Sequence, residues 1–166
     1  MIAACVLAAC MQSGLATAIE RMRAGDAVAA WSAAESATDA LERAQARVYV
    51  RQHAGDLEWA LQEAVEGSSA HPRDPWLAER SLSIALSLSR PRPAQAAMAQ
   101  LERVLTDPGV RDREAFLAAL TSARGEVAAL ENASRARDAA EKRAYVVVIG
   151  LGAGALIVLF LLARRS

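Results

Sequence analysis

Two histidines, His53 and His71, and two cysteines, Cys5 and Cys10, are the side chains best suited to metal ligation, proton transfer or nucleophilic attack. A zinc pair on a helix needs two ligands four residues apart, and neither histidine has such a neighbour. Cys5 and Cys10 lie together in an apolar N-terminus with no further cysteine, so neither a disulfide framework nor a zinc site is open to them. No G-x-S-x-G and no phosphate-cradling P-loop can be read. Gly150, Gly152 and Ala155 stand in the spacing G-x-G-x-x-A after an apolar run, the outline of a dinucleotide-binding turn. That turn needs a βαβ unit and an acidic residue roughly 20 positions on, and only Leu156 to Ser166 follow. The expectation is a chain that is not an enzyme, with no cofactor and no metal. Lysine and arginine total 19 and aspartate and glutamate 19, so no broad basic face draws nucleic acid.

With no catalytic constellation to position, the elements themselves carry the reading. Hydrophobic residues make up 54% of the chain but aromatics only 4%, and much of the remainder is alanine, which favours helices packed on small side chains. Ala24-Gly25-Asp26 recurs as Ala54-Gly55-Asp56, 30 residues on. Glycine suits the left-handed position after a helix, and aspartate can cap the next one. Leu57, Ala60, Leu61, Ala64 and Val65 then form one helical stripe. Ser81 to Ser89 alternates leucine or isoleucine with small residues as a strand would. A lone strand between helices has no partner for its edge, so the segment is read as a helix with Leu77, Ser81, Ile84, Ala85 and Leu88 on one face. Pro93 suits the first turn of the next helix, with Ala97, Leu101, Val104 and Leu105 as its stripe. Asp112 is placed to cap a last helix whose Phe116, Leu120, Val127 and Leu130 cover the end of the stack.

Gly55-Asp56-Leu57-x-x-Ala60, with small Gly67, Pro72 closing the helix and Trp76 opening the next, resembles the second helix of a tetratricopeptide repeat and its exit. Thr106-Asp107-Pro108 supplies a similar exit one repeat later, while Arg90-Pro91-Arg92-Pro93 replaces the Gly-Asp turn of the third pair. The resemblance spans roughly residues 15–109 and implies an all-α fold: a short α-solenoid of about three helix pairs over 11–110 with a covering helix and juxtamembrane segment over 111–143. It implies a scaffold or adaptor that binds a segment of another protein on the groove formed by the first helix of each pair. Arg47, Arg51 and Gln52 are the groove residues expected on the middle pair, being polar where a packing helix would be apolar.

The two ends are read as attachment. Residues 144–163 carry no charge and precede Arg164 and Arg165 of the basic tail 164–166, and as a helix they would be about 30 Å long, the thickness of a bilayer core. A single C-terminal transmembrane helix is therefore expected, with Gly150 and Gly154 in the G-x-x-x-G spacing that lets such helices pack and form a homo-oligomer. The alternative function, a structural envelope protein that oligomerises through that helix, follows from the same two glycines. Within residues 1–10, Leu7-Ala8-Ala9-Cys10 resembles a bacterial lipoprotein signal, which implies lipidation at Cys10 and an exported domain on the cell membrane. Counting Arg135, Arg137, Lys142 and Arg143 before the anchor argues instead for a tail-anchored chain with a cytoplasmic domain.

Overall fold

A computed structural model describes the backbone of residues 13–163 and the side chains of 13–145. Among the described residues there are seven helices and no strand: α1 (Gly14–Arg23), α2 (Ala27–Glu35), α3 (Ala40–His53), α4 (Leu57–Ala70), α5 (Pro75–Ser87), α6 (Pro91–Val104) and α7 (Arg113–Ala163). The chain divides into two compact units, residues 1–127 and 128–166.

In the first unit each helix from α1 to α6 packs against the next, and α1, α3 and α5 also pack in succession. Short connections make neighbours antiparallel, so the chain forms three helix pairs, α1/α2, α3/α4 and α5/α6. The turn inside each pair is the same device. After α1, the Gly25 N–H donates to Met22 O and the Asp26 N–H to Arg21 O; after α3, Gly55 donates to Gln52 O and Asp56 to Arg51 O. Gly25 and Gly55 hold φ of 80° and 83°, the left-handed position that closes a Schellman motif. The third pair makes the same two bonds, Ser89 N–H to Leu86 O and Arg90 N–H to Ala85 O, with Ser89 at φ 54°. A side chain in that region costs about 1–2 kcal/mol. Ser89→Gly is therefore expected to raise the unfolding free energy by about 0.5–1 kcal/mol, after the greater freedom of glycine in the unfolded chain is subtracted. Thermal melting checks this; a fall would mean that the serine itself holds the turn.

Side chains cap four of the helices, while α6 follows Arg90 without one and Asp112, expected to cap the last helix, holds φ 57° and accepts through its backbone O from the Ala115 and Phe116 N–H groups. Ser13, Asp26, Asp39 and Asp74 each accept the N–H three residues on, at 3.2, 2.9, 2.8 and 2.7 Å. Asp56 stands at the start of α4 but its carboxylate accepts from Arg51 Nη1 instead, at 3.2 Å.

Two apolar clusters hold the unit. Ala18, Ala30, Ala34, Ala46 and Val50 join α1, α2 and α3, almost entirely through alanine. The larger cluster runs from Val48 through Leu77, Ile84 and Leu101 to Leu120 and Val127. Helix α3 serves both, because Ala46 and Val50 point one way and Val48 the other. The Leu-Ser alternation of 81–89 is helical: Leu77, Ser81, Ile84 and Ala85 are buried, and the Ser81 hydroxyl is satisfied by Leu77 O at 2.9 Å. Leucine and isoleucine at every second position can lie on two flanks of one helix when both flanks have neighbours, here α4 and α6 on α5.

In the second unit, the described side chains of α7 are mostly exposed; Arg135 pairs with Glu131 one turn back at 2.9 Å, and Tyr145 is open to solvent. The expected transmembrane element is corrected here. Residues 144–163 are the end of α7 rather than a helix of their own, and among the described residues no helix is long and apolar enough to cross a membrane. Up to Tyr145 the helix carries Arg135, Arg137, Asp138, Glu141, Lys142 and Arg143, and such residues cost roughly 2.5–3.5 kcal/mol each at a bilayer centre. Gly150 and Gly154 lie outside the residues whose side chains are described. Cys10 with the lipoprotein-like segment, and the basic tail, lie outside the described residues altogether.

Candidate functional site

Helix α3 is the centre of the first unit, and its polar residues fall on two opposite faces. Arg43, Arg47 and Arg51 are spaced i, i+4, i+8 and form one stripe. Arg43 donates from Nε and Nη2 to Ala37 O, just past the end of α2, at 2.9 and 2.7 Å. Arg47 grips Glu35 of α2 with two bonds of 2.9 and 2.8 Å and has Nη1 3.8 Å from Glu63 of α4. Arg51 sits with its guanidinium 4.4 Å from the Trp31 ring centre on α2 and 5.7 Å from that of Trp59 on α4, and its Nε is buried without a partner. The stripe thus laces α3 to the second helices of two pairs.

The charge pairing is strongest at Arg47. Its hydrogen bonds hold the Glu35 carboxyl below the usual carboxylate range, against a smaller opposing push from desolvation, and Glu35 in turn raises Arg47. A depressed carboxylate stabilises the fold above its unfolded pKa of about 4.3, and that contribution disappears as pH falls through the lower, folded value. Both side chains are about a third or more exposed, 34% for Arg47 and 40% for Glu35, so solvent screening keeps the pair near the surface-pair scale of about 0.5–1 kcal/mol. Glu35→Gln is expected to be less stable than the parent by that amount at pH 7 and to converge with it below about pH 4. Urea titrations at both pH values check this; a gap that widens in acid would contradict the sign.

Gln52 lies about 100° round the helix from Arg51 and about 140° from Arg47. It therefore shares a face with Glu42, Gln45 and Tyr49, opposite the arginine stripe. Glu42 Oε1 accepts from the Leu15 N–H at the start of α1, at 3.0 Å, and Gln45 Nε2 donates to Asp74 Oδ2 at the start of α5, at 3.2 Å. That face of α3 lies between the first helices of the flanking pairs. Tyr49 stacks on His53 with ring centres 3.9 Å apart, and His53 Nδ1 is 2.8 Å from Tyr49 O. On α5, Arg80 lies 5.3 Å over the Trp76 ring and 3.3 Å from Glu79 Oε2. Glu79 also lines a cavity of about 340 Å³ between α5 and residues 119–126 of α7.

The three residues singled out from sequence are therefore not brought together. Arg47 and Arg51 hold α2 and α4 to α3, while Gln52, half-buried, stands on the side of the first helices. Sequence reasoning missed Tyr49 with His53, and Trp76 with Arg80. Their signal was available as an aromatic residue four positions before a histidine on α3 and before an arginine on α5. Among the described residues, no three His, Cys, Asp or Glu side chains gather to hold a metal ion.

The described residues thus form three packed helix pairs, with polar and aromatic side chains on two of the first helices, α3 and α5. The chain matches no family model, no curated protein and no solved structure.

Proposed function

We propose that the protein is a protein–protein interaction module that holds a segment of a partner on the α1–α3–α5 face, as the tetratricopeptide-like reading of its sequence implies. The observation that carries the proposal is the succession of α1, α3 and α5 in direct contact, each packed also on the even helix of its own pair. Stacked pairs of this kind present one surface built by every second helix, long enough for an extended or helical peptide. Supporting it, half-buried Tyr49, Gln52, Trp76 and Arg80 stand on α3 and α5. Aromatic and arginine side chains of this kind dominate binding energy where they are desolvated by a partner.

The test places a photo-crosslinking residue at Tyr49, at Gln52 or at Val28 on α2, in the full chain in its native cells. Crosslinks from 49 and 52 to a common partner, lost in an Arg80→Ala background and absent from 28, are the expected result. Equal yield from position 28 would move the site to the even helices and overturn the proposal.

A further inference from the structure

The cavity beside Glu79 has a chemistry of its own. Its volume, about 340 Å³, lies at the small end of ligand sites and is roughly that of ten water molecules in bulk. Leu86 of α5 and Ala123 of α7 supply hydrocarbon walls, and Ser83, Ser87 and Ser122 supply hydroxyls. The Ser87 hydroxyl donates its proton to Ser83 O at 3.0 Å, which leaves its lone pairs to accept from something else.

Charge decides what that something is. Glu79 and Glu126 face the cavity from its two walls. Glu79 has a cation beside it, Arg80, which is also drawn over Trp76. Glu126 has none among the described residues. The nearest arginine on its own helix, Arg124, is bound to Glu102 of α6 at 2.9 Å on the other side. The cavity therefore carries one uncompensated negative charge, hydroxyl oxygens free to accept, and apolar walls. An acidic or wholly apolar occupant would leave that carboxylate without a partner. A side chain with a long hydrocarbon stem and a cationic head satisfies all three features, the stem against Leu86 and Ala123 and the head at Glu126.

We infer that this cavity receives a lysine or arginine side chain from the partner segment, so that a basic residue anchors one end of the bound peptide. The inference rests on the binding face proposed above. The occupant is a basic protein segment rather than a free ion, because one unpaired carboxylate with neutral hydroxyls is a poor cage for a divalent cation, and the cavity shares Glu79 with the Trp76–Arg80 cluster of the proposed face.

The experiment uses the full chain and three fluorescein-labelled ten-residue peptides of alanine carrying three lysines, three glutamates or three norleucines, read by anisotropy at low and high salt. The lysine peptide is expected to bind, and Glu126→Gln to weaken it about tenfold, one charge-assisted contact's worth. Ser122→Ala should weaken it less, and salt should shrink both effects. Glu126 is exposed, so the variant folds as the parent does, which circular dichroism checks. Equal lysine-peptide binding by Glu126→Gln, no lysine-peptide binding at all, or preference for the glutamate or norleucine peptide would overturn the inference. Crosslinking from Tyr49 separates the two proposals. If it persists in Glu126→Gln while the lysine peptide shows no preference, the binding face stands and the basic anchor falls. If it is absent while lysine binding depends on Glu126, the wider face falls and the cavity's preference stands.

Discussion

Leu77→Ala is expected to lower the unfolding free energy by about 3–4 kcal/mol, within the range of roughly 2–5 kcal/mol for buried leucines. Leu77 is wholly buried at the start of α5 and packs on Gly67 of α4, so closely that a Cβ on that glycine would lie 3.3 Å from both of its methyl groups. It belongs to the larger apolar cluster that joins α3, α4, α5, α6 and the start of α7. Much of the surrounding wall is alanine backbone-close packing, Ala60, Ala64 and Ala78, which has no long side chain to swing into the void. The cavity term should therefore be near its full size. Urea denaturation would show a lower midpoint with an unchanged slope. A loss below about 1 kcal/mol would mean that the helices collapse into the space around the site.

Gly14→Ala carries a contest of signs. Alanine is the better helix former, by up to about 1 kcal/mol in a helix interior and by less at a first residue such as this. Against that, a Cβ at Gly14 would stand 2.6 Å from Ala37 Cβ, 3.0 Å from Ala37 Cα and 3.2 Å from Ala33 O. Two of those three atoms are backbone, and no rotamer change relieves the overlap. Overpacking of this kind costs typically about 1–3 kcal/mol, so a net loss of about 1–2 kcal/mol is expected. Gly125→Ala is the control: it is a helical glycine in α7 with nothing within 4 Å of the added carbon, and it should stabilise by a few tenths to about 1 kcal/mol. Opposite signs for the two substitutions confirm close approach of α1 to the end of α2; stabilisation by both would remove it.

How much of this was legible beforehand depends on the range of the interaction that decides each feature. Helices and turns depend on neighbours within a few residues. The period of Leu57, Ala60, Leu61 and Ala64, the left-handed glycines at 25 and 55, and the proline-opened start of α5 are all written locally, and the all-α class with its three pairs follows from them. Ser89 shows the limit even of local reading, since its left-handed turn is made without the glycine that would have announced it. The membrane-spanning element was also inferred locally, from an uncharged run alone, and the described part of the helix that contains it is charged and exposed.

The candidate site belongs to the other category. Arg47, Arg51 and Gln52 are near neighbours in sequence, and helix geometry alone separates their directions, but only packing says which direction is occupied. Glu35, Glu63, Trp31 and Trp59 arrive from α2 and α4 to claim the two arginines, and Asp56 gives up its cap to one of them. The cavity with Glu79 and Glu126 joins side chains on α5 and α7 that no periodicity connects. By itself the sequence determined the helices, their turns and the alanine-rich faces, because those are set by backbone conformation and by burial patterns within one helix. The tertiary structure alone decided which charges are paired inside the fold and which are left at its surface, because an ion pair or a stacked guanidinium is won by whichever group packing brings within about 4 Å.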